Sequence, residues 1–136
     1  MALRGTAILP MAVFDAKEIL ARISRDHISV LPGPPTLYQT ILAFPDLKNV
    51  DLSCLRLAVT GAAAIPVSLI HRMRDELGFK TVLTAYGLTE SCGVVTMCRD
   101  GDEAEIIATT SGRAIPDIEV RCVDGDNQEV PRGEPG

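Results

Sequence analysis

The chain has 136 residues, the size of one ordinary domain, and its 46% hydrophobic and 23% charged residues are typical of a globular protein with a core. Thirteen basic against eighteen acidic residues give a net charge of −5, and aromatic residues make up only 4%, with no Trp. This composition argues against nucleic-acid binding, which needs a basic face and aromatic platforms for the bases.

The sequence indicates neither a membrane protein nor a zinc site. No apolar run approaches the ~20 residues of a membrane span, and residues 1–5 begin no signal-peptide core, so we expect a cytoplasmic protein. The four cysteines, Cys54, Cys92, Cys98 and Cys122, lack C-x-x-C spacing and a neighbouring His. We therefore expect them to be reduced thiols.

The first third of the chain predicts a helix, a strand and a second helix. Asp15, followed by Glu18, resembles a capping box, and the apolar spacing after it predicts an amphipathic helix over 16–26. Residues 28–31 predict a short buried strand that a run of prolines ends. The second helix should end before Pro45, because the residue before a proline resists helical geometry. Its apolar face consists of Leu37, Tyr38, Ile41 and Leu42.

The middle of the chain predicts a strand, a helix and another strand. Alternating apolar residues (Leu55, Leu57 and Val59) indicate a strand over 55–60, and residues 61–64 form a turn of small residues only. Pro66 suits the first turn of the next helix, Gly78 suits its end, and residues 81–84 follow as a strand. This order predicts a parallel α/β sheet with right-handed crossovers.

The last part of the chain has the pattern of antiparallel sheet. Residues 118–123 alternate as a half-exposed strand, residues 124–127 indicate a turn, and Glu129 begins a returning strand. We therefore expect an α/β part over 1–108 and the start of a second unit over 109–136.

Two predicted loops are candidates for a ligand site, because ligands bind beyond the carboxyl ends of the strands in parallel α/β sheets. Residues 61–65 begin with four positions that carry no side chain larger than a methyl, which lets a flat ligand approach the backbone. Residues 85–90 supply a ring face at Tyr86, a hydroxyl at Thr89 and a carboxylate at Glu90 that suits Mg²⁺. The alternatives are a tight turn that needs small residues for packing and a second turn that merely exposes a glutamate.

These loops also match the signature of a known family. Tyr86-Gly87-Leu88-Thr89-Glu90 resembles the Y-G-x-T-E signature of the adenylate-forming superfamily, which contains acyl-CoA synthetases, luciferases and peptide-synthetase adenylation domains. Thr60-Gly61-Ala62-Ala63 stands upstream, where that family has its small-residue adenine loop. Three later runs resemble its G-R-P-x-P, V-x-I-V-D and G-E-x-G motifs: residues 112–116, 119–124 and 133–136. Residues 30–38 look most like actinobacterial acyl-CoA synthetases, including those that act on fatty acids and steroid-degradation acids.

The resemblance implies a fold and a reaction. The fold is the α/β, parallel-sheet portion of the large domain of an adenylate-forming enzyme, followed by the start of an antiparallel β-barrel portion. In the reaction a carboxylic acid attacks the α-phosphate of ATP to give acyl-AMP and pyrophosphate, and the CoA thiol then displaces AMP. The implied cofactors are ATP, Mg²⁺ and CoA, and the partners are the small-molecule acid and the remainder of the protein's own chain.

The resemblance also implies which residues surround the adenylate. Tyr86 would stack on the adenine, whose other face would be lined by Ala62, Ala63 and Ala64.

The remaining site residues implied by the resemblance lie near the phosphates and the acid. Thr89 would contact the phosphates and Glu90 would hold Mg²⁺, so these two are the expected catalytic residues. Gly61 and Gly87 would border the acyl pocket.

Several features of the family are absent from these 136 residues. The glycine-rich phosphate loop S-G-T-T-G-x-P-K-G is missing, and the run 109–112 is similar only to its opening and stands in the wrong place. The aromatic–His gate, the ribose-binding Asp and the catalytic Lys are also missing, while His27 and His71 are expected as surface or cap residues. We therefore expect an internal fragment of the large domain that is inactive alone. The alternatives are a peptide-synthetase adenylation domain, a luciferase-like enzyme or a nucleotide-binding module without catalysis.

Overall fold

The structure is a computed structural model that describes residues 5–61 and 63–136, so the predicted role of Ala62 lies outside the described residues. The helices are α1 Ala16–Asp26, α2 Pro35–Leu42, α3 Val67–Asp75 and α4 Ala104–Thr109. The strands are β1 Val30–Pro32, β2 Leu57–Gly61, β3 Thr81–Leu88, β4 Gly93–Met97 and β5 Arg113–Ala114. Within the described ranges, no helix is long and apolar enough to cross a membrane.

The first three helices form in the predicted places, and α3 ends at Asp75, before the predicted stop at Gly78. The Asp15 carboxylate accepts a hydrogen bond from the backbone N–H of Glu18 at 2.9 Å, which satisfies one of the free N–H groups at the start of α1. The exposed His27 caps the end of α1 with a φ of 50°, and the exposed His71 lies within α3, as expected for structural positions. Pro66 directly precedes α3 rather than lying in its first turn.

The strands form one mixed sheet in the order β1-β2-β3-β4-β5. β1, β2 and β3 are parallel, as predicted, whereas β4 and β5 are antiparallel to their neighbours. The sequence pattern predicts a loop at 85–90, but β3 continues to Leu88 because β4 pairs with its second half. The predicted α/β class is confirmed, while β4, α4 and β5 were not predicted.

The core lies between the sheet and the helices, on one face of β2 and β3. The buried residues of β2 are Ala58 and Thr60, whereas Leu57 and Val59, which the alternation favoured, are only half-buried. Tyr38 of α2 is fully buried, and its hydroxyl donates to the carbonyl oxygen of Leu31 at 2.7 Å. Burial raises the pKa of this phenol, which stays protonated and ties α2 to β1.

The predicted strand over 118–123 is wrong in extent. Only a single antiparallel bridge forms there, between Val123 and Glu129. The predicted turn between them is present, because the Asp124 carboxylate accepts from the backbone N–H groups of Asp126 and Gln128, both at 2.9 Å. A pair of short strands with no third strand beside it is marginal, which explains why the alternation alone does not produce a ladder.

Candidate functional site

The two predicted loops and a third segment surround one cavity of about 580 Å³. Gly61 at the end of β2 pairs with Ala85 of β3, so the parallel pairing brings the two loops together. The lining residues fall into three groups: Gly61 with residues 63–65, residues 84–88 of β3, and residues 107–111 at the end of α4. The cavity therefore lies at the carboxyl end of a parallel strand, where the sequence predicts a ligand.

The small residues of the first loop have two different roles. Ala63 and Ala64 are exposed and line the cavity, so their methyl groups are available to a ligand. Gly61 also lines it, but a Cβ there would stand 2.6 Å from the carbonyl oxygen of Ala85. Glycine is thus required at this position by the pairing of β2 with β3, whatever the ligand.

The Tyr-Gly pair of the signature lies at an irregularity in β3. The register between β3 and β4 shifts between Tyr86 and Gly87, and Tyr86 remains 48% exposed while it lines the cavity. Gly87 lines the cavity too, and a Cβ there would stand 1.7 Å from the carbonyl oxygen of Gly93. The bulge therefore leaves a ring face free for a planar group, and glycine allows β4 to pass close by.

The Thr-Glu pair of the signature lies beside the cavity rather than in its wall. Thr89 and Glu90 form a short 3₁₀ turn with Ser91 and are exposed, and neither belongs to the described residues that line the cavity. The Ser91 hydroxyl accepts from the backbone N–H of Leu88 at 3.1 Å and lies 2.9 Å from the Leu88 carbonyl oxygen, which fixes this turn.

A magnesium ion at this turn would depend on the ligand for most of its coordination. In the described part of the chain, no group of three His, Cys, Asp or Glu residues is arranged to hold a metal. Mg²⁺ is often bound by one or two carboxylates together with phosphate oxygens and water. The single exposed carboxylate of Glu90 fits that arrangement, with a polyphosphate supplying the other oxygens.

The third wall of the cavity, residues 107–111, was not predicted from the sequence. It follows α4, a helix of six residues that is too short to give a clear apolar period. The only signal was the run 109–112, which is similar to the opening of the family's phosphate loop but stands in the wrong place for it. Of the five lining residues, Ile107 is buried and Thr109, Thr110 and Ser111 are exposed.

Comparison with known proteins decides the family. The model of the family described as "AMP-binding enzyme" matches residues 1–136. The chain belongs to the AMP-binding enzyme family. The resemblance seen in the signature residues is thereby confirmed.

Relatives within the AMP-binding family include ligases that use CoA. The 3-[(3aS,4S,7aS)-7a-methyl-1,5-dioxo-octahydro-1H-inden-4-yl]propanoyl:CoA ligase of Rhodococcus jostii (strain RHA1) is 54% identical over 133 residues. That match covers 97% of this chain and 25% of the relative, so the chain spans about a quarter of the relative's length.

Solved structures of the family have the same fold. The anthranilate CoA ligase AuaEII, in complex with anthranoyl-AMP, is 32% identical with a TM-score of 0.76, covering 88% of this chain and 22% of that one. The N-terminal domain of FACL13 from Mycobacterium tuberculosis is 27% identical with a TM-score of 0.82, covering 95% of this chain and 32% of that one. The mixed α/β sheet is therefore that of the N-terminal domain of adenylate-forming enzymes.

Proposed function

We propose that this chain is the central part of an ATP-dependent acyl-CoA ligase and contributes walls of its adenylate site. The observation that carries the proposal is the joint lining of one cavity by the small-residue loop at Ala63 and Ala64 and by Tyr86, with Glu90 in the turn that follows the same strand. The relative that is 54% identical is itself a CoA ligase, which supports the class of reaction.

The proposed reaction has two displacement steps and no redox change. A carboxylate oxygen of the acid forms a bond to the α-phosphorus of ATP, and the bond from that phosphorus to pyrophosphate breaks. The CoA sulfur then forms a bond to the acyl carbon, AMP leaves with the bonding electrons, and the thiol proton passes to solvent. In such transfers the protein acts mainly by positioning the reactants and stabilising phosphate charge.

The cavity walls supply the proposed contacts to the adenylate. The half-exposed ring of Tyr86 stacks on the adenine, and Ala63 and Ala64 lie against its other face. Gly61 and Gly87 border the acyl part of the ligand.

The turn after β3 supplies the proposed contacts to the phosphates. Thr89 donates its hydroxyl hydrogen to a phosphate oxygen. The Glu90 carboxylate would hold Mg²⁺. The bound ion would neutralise charge on the phosphates. Both side chains are exposed, so neither must leave a buried partner to bind.

We further propose that the acid is bulky and largely apolar, with a fused bicyclic ring as in the dioxo-octahydroindene propanoate named for the Rhodococcus relative. A fatty acid is the competing substrate class. In this proposal residues 1–108 belong to the α/β portion and residues 109–136 begin the β-barrel portion. The enzyme acts in the cytoplasm, which supplies ATP and CoA.

The test uses the full-length protein that carries this chain, with a panel of acids. Acid-dependent exchange of pyrophosphate into ATP reports the first step, and thioester formation with CoA reports the second. We expect both activities, highest with bicyclic propanoates, and both dependent on Mg²⁺. Exchange that leads only to a carrier-protein thioester, or nucleotide binding without exchange, would contradict the ligase proposal.

A further inference from the structure

Two buried threonines hold the third wall of the cavity, residues 107–111, against the sheet. Thr84 lies on β3 and Thr96 on β4, and each is only 8% exposed. Neither belongs to the signature that identifies the family. Each hydroxyl donates toward a carbonyl of the wall, so the sheet and the wall are joined at both ends of the segment.

Thr84 anchors the first part of the wall. Its Oγ1 lies 2.9 Å from the carbonyl oxygen of Ile107 and 3.4 Å from that of Thr110. Carbonyls in the last turn of a helix lack partners within the helix, and α4 has only six residues. The Thr84 hydroxyl therefore supplies a partner that a helix this short needs to keep its end in place.

Thr96 anchors the last part of the wall. Its Oγ1 donates to the carbonyl oxygen of Ser111 at 2.6 Å. Gly112 follows with a φ of 78°, and a Cβ there would stand 2.1 Å from the carbonyl carbon of Met97. The segment 111–112 thus passes β4 at a separation that only glycine allows. The hydrogen bond from Thr96 holds that segment in place beside β4.

We propose that Thr84 and Thr96 are positioning residues for the nucleotide, because they set the distance between residues 107–111 and the ring of Tyr86. This inference rests on the proposed function, which assigns the cavity to the adenylate. Thr84 and Tyr86 line the same cavity as the wall, whereas Thr96 does not line it. The Thr96 side chain reaches the wall through Ser111, while its backbone pairs with Tyr86 across the β3–β4 strands. A variant that removes only the Thr96 hydroxyl keeps that backbone pairing, so Thr96 provides the cleaner test.

The experiment measures the dissociation constant of AMP by calorimetry in the full-length protein. Thr96→Val removes the hydroxyl and keeps the branched shape, and Thr96→Ser restores the hydroxyl. Tyr38→Phe is the matched control, since it removes a buried hydroxyl that donates to a sheet carbonyl at 2.7 Å, away from the cavity. We expect Thr96→Val to weaken AMP binding about fivefold to tenfold, the equivalent of one hydrogen bond, and Thr96→Ser to bind nearly as wild type does. Tyr38→Phe should lower the melting temperature and leave AMP binding unchanged.

Three results would overturn the inference. They are unchanged AMP binding in Thr96→Val, an equal loss in Tyr38→Phe, or a wild-type protein that binds no AMP. Thioester formation by the wild type is measured separately. If AMP binds but no acid yields acyl-CoA, the ligase proposal fails while the comparison of Thr96 variants still decides the positioning role.

Discussion

Gly61 offers the sharpest test of how the cavity is built, because the structure decides between two explanations that the sequence leaves open. One is a residue kept small for a ligand, and the other is a tight turn that needs small residues for packing. In the structure, a Cβ at Gly61 would lie 2.6 Å from the Ala85 carbonyl oxygen, short of the 3.4 Å at which ordinary contact begins. Gly61→Ala must therefore separate β2 from β3 by about 0.8 Å where the two loops meet, since backbone atoms of a paired strand cannot turn aside.

The expected cost follows from that displacement. Overpacking a well-fitted site destabilises a protein by about 1–3 kcal/mol, and a shift near 1 Å in a binding site can lower activity on the order of a hundredfold. We expect Gly61→Ala in the full-length protein to lower the unfolding free energy within that range. The substitution should also weaken AMP binding, because the loop at Ala63 and Ala64, which follows β2, moves away from Tyr86 on β3.

The control for Gly61→Ala is Gly78→Ala. Gly78 follows α3 with a φ of 75°, and no atom lies within 4 Å of the position that an alanine methyl would take, so alanine there is strained without a clash. The Gly78→Ala protein should lose about 1 kcal/mol of unfolding free energy and keep its AMP affinity. A Gly61→Ala protein with the melting temperature and the AMP affinity of the wild type would refute the claim that the pairing of β2 with β3 requires glycine at this position.

Three further predictions concern the proposed enzyme. Glu90→Gln should slow acyl-AMP formation on the order of a hundredfold, while the melting curve and thioester formation from supplied acyl-AMP change far less. An equal loss in both steps would contradict the proposal that Glu90 holds the metal. Tyr86→Leu should raise the KM for ATP about tenfold and Tyr86→Phe should not, which steady-state kinetics can check; an equal rise in both would argue against stacking. The isolated chain of residues 1–136 should form no acyl-CoA from ATP, CoA and acid, and a thioester detected by mass spectrometry would contradict the expectation that it is inactive alone.

The sequence predicted those elements whose signals are local. α1 has a capping residue at Asp15 and an apolar stripe, and its bounds agree with the prediction. β1, β2 and β3 lie on short apolar runs separated by helices, which is enough to predict their parallel order. The family signature likewise located Tyr86 on the cavity, because a motif of five residues needs no knowledge of distant contacts.

The elements that were missed depend on which strand or side chain pairs with them, and local periodicity does not show that partner. β4 forms because β3 continues past Ala85, and nothing in the sequence of 85–90 distinguishes a strand from a loop. The wall at 107–111 depends on hydrogen bonds from Thr84 and Thr96, which are more than ten residues away. Similarly, the need for glycine at Gly87 comes from Gly93, across the bulge between two strands.

The position of the cavity follows from the way β3 exchanges its partners. Residues 81–85 pair in parallel with β2, which ends at Gly61, and residues 85–88 pair with β4 on the other edge. Among the described residues, none pairs with β3 on the β2 side beyond Ala85, and strand edges without a neighbour present backbone N–H and C=O groups. The loop at Ala63 and Ala64 turns away toward α3 at that point and leaves room beside those groups. A planar polar ligand is thus favoured here by the topology itself, and Tyr86 is the first residue of β3 past the change of partners.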